Sequence, residues 1–289
     1  MREPEPLGRE EELELVKRAL FFIASTNAQR ELATRAAIGT ADQAADLVID
    51  RLLDEMIPKE GDRVAREDMP ELEQWVLHRL AELDETVRAG YDAYDFQGVF
   101  RAVFDFATVE LSAFYFDIRK DALYCDRPDG DLRRAVRTTL DILFDHLTAW
   151  LAPFICFTAE EAWLTRHPDQ TSGNSVHLRT FPDVPADWAD ADLAAKWSKV
   201  RTLRRAVTGA LEVARANKVI GASLQAHPEV YAPAEYKTVT EGLDPAELCI
   251  TSGFTFMDGE APADARRAEE TADIAVVVGG TIPQSDVQK

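Results

Sequence analysis

Two clusters of positive charge interrupt an otherwise acidic chain of 289 residues. Arg119, Lys120, Arg127, Arg133, Arg134 and Arg137 form one, and Lys196, Lys199, Arg201, Arg204, Arg205, Arg215 and Lys218 form the other. Crowded guanidinium and ammonium groups displace counterions from phosphates, so each cluster reads either as an RNA face or as the solvated side of a helix. The net charge is −20. That charge excludes a protein that envelops nucleic acid in bulk positive potential, so any RNA site must be local. The three cysteines, Cys125, Cys156 and Cys249, lie far apart with no Cys-x-x-Cys pair, and the five histidines form no His-x-x-x-His or His-Glu pair. Neither a disulfide framework nor a metal site is expected, and a reducing cytoplasm fits.

The elements that must position these groups are mostly helical. Apolar runs such as Leu147 to Phe157 are broken by Thr148, Pro153 and Thr158, short of the roughly 20 residues that a membrane helix needs. The acidic start, with Glu10, Glu11, Glu12 and Glu14, is the opposite of an export signal. Helical stripes are predicted at Glu10 to Phe22 and Ala41 to Met56, followed by a linker through Pro58 and Gly61. Met69-Pro70-Glu71 opens the next helix, with Leu72, Val76, Leu77, Leu80, Leu83 and Val87 at helical spacing. A second helix follows Asp95 and carries a broad apolar stripe through Phe116. Asp129-Gly130 makes a turn before a third helix from Asp131 to Trp150. Pro153 ends or kinks it, and Thr158 opens a short helix ending near Leu164.

Residues 168–185 read as a loop with one extended piece, Val176-His177-Leu178. Asp190 or Asp192 then caps a long helix to Ala216. Beyond Gly221 three short β-rich runs appear, Leu224 to Tyr231, Leu248 to Phe256 and Ile274 to Val278. The fold class is mainly α: an antiparallel helix bundle with a small C-terminal α/β appendage. The expected divisions are an unassigned helical segment at 1–61, the bundle at 62–188, a long helix completing it at 189–221, and a junction region with a flexible tail at 222–289.

Four stretches carry a family resemblance. The segment from Met69 through Trp75 to Leu80 resembles the first helix of the anticodon-binding domain in the class I synthetases for isoleucine, valine and leucine. Glu110-Leu111-Ser112-Ala113-Phe114-Tyr115-Phe116-Asp117-Ile118-Arg119-Lys120-Asp121-Ala122-Leu123-Tyr124-Cys125-Asp126 resembles the signature of the isoleucyl-tRNA synthetase branch. Leu151-Ala152-Pro153-Phe154 through Thr158-Ala159-Glu160-Glu161-Ala162-Trp163, and Ser175-Val176-His177-Leu178 followed by Phe181-Pro182, are similar to the motifs that come next in that family. The likeness runs from about Asp62 to Val278 and includes Lys218-Val219-Ile220-Gly221. Residues 1 to about 60 match nothing in the family.

The resemblance implies a module that binds tRNA at its anticodon loop, with isoleucine tRNA as partner and with no membrane. It also implies what is missing. The family's catalytic fold holds ATP and magnesium with His-x-Gly-His and a Lys-Met-Ser-Lys-Ser loop, and this sequence has no His-x-Gly-His. Lys196-Trp197-Ser198-Lys199 stands after the bundle motifs rather than before them and reads as a helix with Trp197 inward. The editing and zinc modules are absent too. No cofactor is therefore expected in this chain, and aminoacylation is expected only if a separate catalytic chain supplies the domain. The other reading is an acidic helical scaffold that binds no RNA.

An unpaired RNA loop is gripped by stacking rings, base-edge donors and backbone cations. By resemblance those roles fall to Trp75, His78, Arg79, Arg119, Lys120, Tyr124 and Lys218, with no catalytic residue among them. Each also has a packing reading. Trp75 continues the Leu72–Leu83 stripe, Arg79 and Lys120 can pair with Glu82 and nearby acids, and Arg119 can join Asp117 and Asp121 in an ion network. Tyr124 can simply close its helix, and Phe114, Tyr115 and Phe116 are assigned mostly to the core, Tyr115 alone having an outward alternative.

Overall fold

The computed structural model describes residues 62–167, 173–263, 265–267 and 271–279. The two N-terminal helical stripes predicted above lie outside these residues. The chain divides into two compact units meeting at Ala189 and Asp190.

In the first unit, helix α1 (Glu71–Asp92) is followed by α2 (Phe96–Asp105), a π-helical segment (Phe106–Phe116), α3 (Asp117–Cys125), α4 (Asp131–Leu151) and α5 (Cys156–Arg166). α1 packs on α2 and α4, and α4 packs on α3 and α5, as an antiparallel bundle requires. Its starts are written in the sequence. Asp95 caps α2 by accepting from Gly98 N at 3.0 Å, and the Arg127–Gly130 turn, closed by Gly130 N to Arg127 O at 3.0 Å, delivers the chain to α4. The core is the set of stripes: Leu72, Val76, Leu80 and Val87 from α1 meet Val99 and Val103, then Val136, Leu143, Phe144, Leu147 and Trp150, all buried. Each such side chain contributes about 1.5–3 kcal/mol. Gly90 makes the α1–α2 contact close, since a Cβ there would stand 2.4 Å from Val99 Cγ2.

The second predicted helix is not α-helical throughout. Phe106, Leu111 and Phe116 are all buried and recur every five residues. At roughly 100° per residue an α-helix would place successive members about 140° apart, whereas the wider π winding returns them to one face. The hydroxyl of Thr108 donates to Phe104 O at 2.9 Å where the winding changes. Tyr115, assigned mostly to the core with an outward alternative, is fully buried, as are Phe114 and Phe116. Val176–Leu178, expected as an extended piece, is a 3-10 turn. The Glu160 carboxylate fixes it by accepting from Ser175 Oγ and Val176 N, both at 2.9 Å.

In the second unit, α6 (Ala191–Ala216) is capped by Asp190, which accepts from Leu193 N at 2.9 Å. Strand β1 (His227–Tyr231), α7 (Ala234–Val239), α8 (Pro245–Cys249), β2 (Thr255–Met257) and β3 (Ala275–Gly279) follow. The sheet order is β2-β1-β3, with β1 parallel to β2 and antiparallel to β3. Val230 pairs with Phe256 on one side and Val276 on the other. α6 lies against β3, α7 and α8 and buries Leu203, Val207, Ala210 and Leu211 with Val230, Ile274 and Val276. Leu248, predicted to start a strand, sits in α8 instead, because the Asp244 side chain caps that turn by accepting from Ala246 N and Glu247 N. Among the described residues no helix is long and apolar enough to cross a membrane.

Among the described residues three helices end on a non-glycine residue in the left-handed region: Tyr94 (φ 58°) after α1, Lys218 (φ 60°) after α6 and Ile250 (φ 56°) after α8. In each, the next residue's N–H reaches back to a carbonyl five positions earlier: Asp95 N to Gly90 O, Val219 N to Ala214 O, Thr251 N to Ala246 O. This is the helix ending that glycine usually serves.

Candidate nucleic-acid interface

The predicted binding residues divide between the inside and the surface of the first unit. Trp75 is buried, with its ring edge-on to Phe114 at 5.4 Å between centroids. A ring enclosed in this way offers no face to a base, so the packing reading describes its position. His78 is also buried, with Nε2 3.5 Å from the Glu82 carboxylate. Arg79 is partly exposed and pairs with Glu82, with Glu110 at 3.9 Å.

Arg119 is buried and forks onto the fully buried Glu73, with Nε to Oε1 at 2.7 Å and Nη2 to Oε2 at 2.9 Å. The two-point partner is therefore Glu73 on α1, 46 residues away, rather than a residue of its own helix. Tyr115 stands in the same environment, where burial first and the negative charge of Glu73 second hold its hydroxyl pKa well above the usual tyrosine value. Glu73 was not singled out from the sequence. Glu73 and Arg119 lie 46 residues apart in the chain, and no local spacing encodes that pairing.

The pair has a positional consequence. It fixes the rotation of α3 against α1, and Lys120 and Tyr124, one turn apart, fall on the opposite side of α3. Lys120 pairs with Asp117 at 2.9 Å while its side chain remains 45% exposed, and Tyr124 is 49% exposed. Arg79, Lys120 and Tyr124 are thus the members of the set that present groups to solvent in this unit. Lys218 is exposed in the second unit, on its left-handed turn.

The wider basic cluster is locally compensated. Arg127 pairs with Asp129 at 2.9 Å, Arg134 with Asp131 at 3.7 Å and Arg137 with Asp62 at 3.2 Å, while Arg133 donates to Asp126 O at 2.7 Å. In the second unit Lys199 pairs with Glu235, Arg215 with Glu212, and Arg204 donates to Leu248 O. Within Lys196-Trp197-Ser198-Lys199 the indole is fully buried on α6, so that stretch is helix core with lysines beside it, as its spacing predicts. Phosphate would have to compete with these carboxylates for the cations.

The first unit is thus a helical bundle with a buried Arg–Glu tie and a Lys and a Tyr presented from one helix, and the second a small mixed sheet packed on a long helix. Residues 73–230 match the family described as the anticodon-binding domain of tRNA ligase, and the chain belongs to that family. It is 54% identical over 217 residues to an isoleucine–tRNA ligase of Agrobacterium fabrum, covering 75% of this chain and 22% of the relative. The corresponding ligase of Mesorhizobium japonicum is 54% identical over 220 residues, covering 76% and 22%, and that of Ruegeria pomeroyi 54% over 220 residues, covering 75% and 22%. The chain spans about a fifth of the length of these relatives.

Proposed function

We propose that this chain binds the anticodon loop of tRNA, of the isoleucine-accepting kind, through the surface of the first unit carrying Arg79, Lys120 and Tyr124, and that Lys218 of the second unit is a separate tRNA contact. The observation that carries the reading is the family match over residues 73–230 together with the α3 face. The phenol of Tyr124 is open for stacking, and Lys120 one turn away is engaged only in an exposed pair. Exposed pairs of this kind are worth about 0–1 kcal/mol, so exchanging Asp117 for an RNA phosphate costs little. Aminoacylation by this module requires a catalytic domain, in this reading supplied by a separate chain.

An electrophoretic shift with isoleucine tRNA tests it. Retardation that weakens as salt rises is the expected result, and a valine or leucine tRNA shifted equally well would remove the isoleucine assignment. No retardation at low salt would remove tRNA binding altogether. The second reading, an acidic scaffold without RNA, is favoured by one observation, the net charge of −20 with the clustered cations compensated by neighbouring groups. Lys120→Glu separates the two, since a scaffold is indifferent to it.

A further inference from the structure

The turn that presents Lys218 is built to a fixed shape. α6 ends there: Asn217 N donates to Val213 O at 3.0 Å, Lys218 N to Arg215 O at 3.0 Å and Val219 N to Ala214 O at 2.9 Å, with Lys218 in the left-handed region at φ 60°. A β-carbon in that region crowds the backbone, so glycine is the residue that the turn by itself favours. Glycine carries no ammonium. Lysine keeps a cation on the surface despite the local strain, and strain of this kind persists only where the surroundings over-determine the backbone.

Two anchors beyond the turn do this. Ile220 is buried in the same core cluster as Ala214 and Ala226, while Val219 before it is 56% exposed and Lys218 is exposed. Gln225 is the second anchor. Its buried carboxamide oxygen accepts from Gly221 N at 2.6 Å and from Ala222 N at 3.1 Å. Two N–H groups need an acceptor, so the carboxamide has one orientation here. A Cβ at Gly221 would stand 3.1 Å from that oxygen, and glycine admits the close approach. Arg215 ties the end of α6 to the same stretch by donating to Ser223 Oγ at 2.8 Å.

From these contacts we infer that Gln225 is a positioning residue for tRNA binding. It holds the Lys218 turn in the form that meets RNA, so the ammonium is presented from a rigid backbone and less freedom is lost on contact. Because Gln225 is buried and acts through Lys218, this role rests on the tRNA contact proposed above. The competing role is purely local: a glutamine at the third position of a helical turn reaches back to the N–H groups at its start, as Gln225 does in the 3-10 turn Ser223–Gln225. A cap of that kind stabilises the second unit and leaves binding alone.

A double-mutant cycle in the full chain separates the two roles. Gln225→Met keeps the volume and removes the acceptor. It should weaken binding of isoleucine tRNA about fivefold, whereas in a Lys218→Ala background, itself weaker, the same change should alter affinity by less than about 1.5-fold. Gly221→Ala, whose β-carbon presses on the same oxygen, is the second variant and should show the same dependence on Lys218. Exchange of the Val219 amide proton, measured without RNA, should be about tenfold faster in Gln225→Met and unchanged in Gln225→Glu, which keeps an oxygen for both N–H groups. Equal affinity losses in the two backgrounds, unaltered binding by folded Gln225→Met, Val219 exchange indifferent to that change, or Lys218→Ala binding as tightly as the unaltered chain each overturns the positioning role. Failure of the unaltered chain to shift tRNA overturns the proposed function and this role together, whereas a shift without coupling between Gln225 and Lys218 overturns this role alone.

Discussion

Arg119 of α3 and Glu73 of α1 face each other as a two-point ion pair with both side chains out of solvent, the shorter contact being 2.7 Å. Burying a pair costs desolvation that the mutual attraction roughly balances, so its contribution lies less in net stability than in fixing how α3 sits on α1. Removing one member is a different matter. Glu73→Ala leaves a guanidinium buried without its counter-charge and should destabilise the chain by about 3–5 kcal/mol. The double change Glu73→Leu with Arg119→Met should cost far less. Urea unfolding of the two variants compares them directly; equal losses would mean that volume, and not the stranded charge, sets the cost.

Trp75 separates packing from recognition. Trp75→Ala should cost about 3–5 kcal/mol, as large-to-small changes in a core do. Trp75→Phe retains an edge-on ring against Phe114 and should leave tRNA affinity within a factor of about two. A large affinity loss in a well-folded Trp75→Phe protein would return the indole to the binding surface.

Lys120→Glu makes the converse prediction. Its partner Asp117 is 41% exposed, as Lys120 itself is 45%, so the stability change should stay below about 1 kcal/mol. Binding of isoleucine tRNA should nevertheless weaken, and its dependence on salt should become shallower by about one phosphate contact. Titration at several salt concentrations measures both.

What the sequence discloses here follows the range of each interaction. The helix stripes from Glu71 onward, the Asp95 and Asp190 caps and the Asp129-Gly130 turn are local, and the structure has them where the spacing puts them. The pairing of Lys120 with an acid three positions away is local as well. Glu73 with Arg119, and Glu160 with the Val176 turn, join residues distant in the chain, so the sequence shows the charged groups without the pairing. The π segment lies between these cases: its five-residue recurrence is written in Phe106, Leu111 and Phe116, but a dense apolar run satisfies a 3.6-residue stripe equally well. For the binding set the family resemblance locates a surface; burial then decides which members reach it.

Gly90 tests the approach of α1 and α2. A methyl group there would meet Val99 Cγ2 at 2.4 Å, and Val99 is itself buried and β-branched, with little freedom to turn aside. Gly90→Ala should therefore destabilise by about 1–3 kcal/mol despite the higher helix propensity of alanine. Pairing it with Val99→Ala should recover part of the loss, and a chemical denaturation series of the three proteins provides the comparison.

The pH response follows from His146 and His167, whose pKa values are both lowered from 6.5, in each case first by burial. A histidine whose folded pKa lies below its unfolded value binds protons more readily when unfolded. Its neutral form favours the fold fully above pH 6.5, and that stability is lost as pH falls from 6.5 through the folded pKa. Asp145, raised above 3.8 first by burial, acts in the opposite sense, since its protonation favours the folded state, but it is one group against two histidines. The net expectation is a thermal midpoint that declines as the solution is acidified below pH 6.5. His146 Nδ1 lies 2.8 Å from Ile142 O, so His146→Gln keeps a donor within reach of that carbonyl and removes the titration. The variant's midpoint should fall less steeply over the same range, and an unchanged slope would assign the acid sensitivity to other groups.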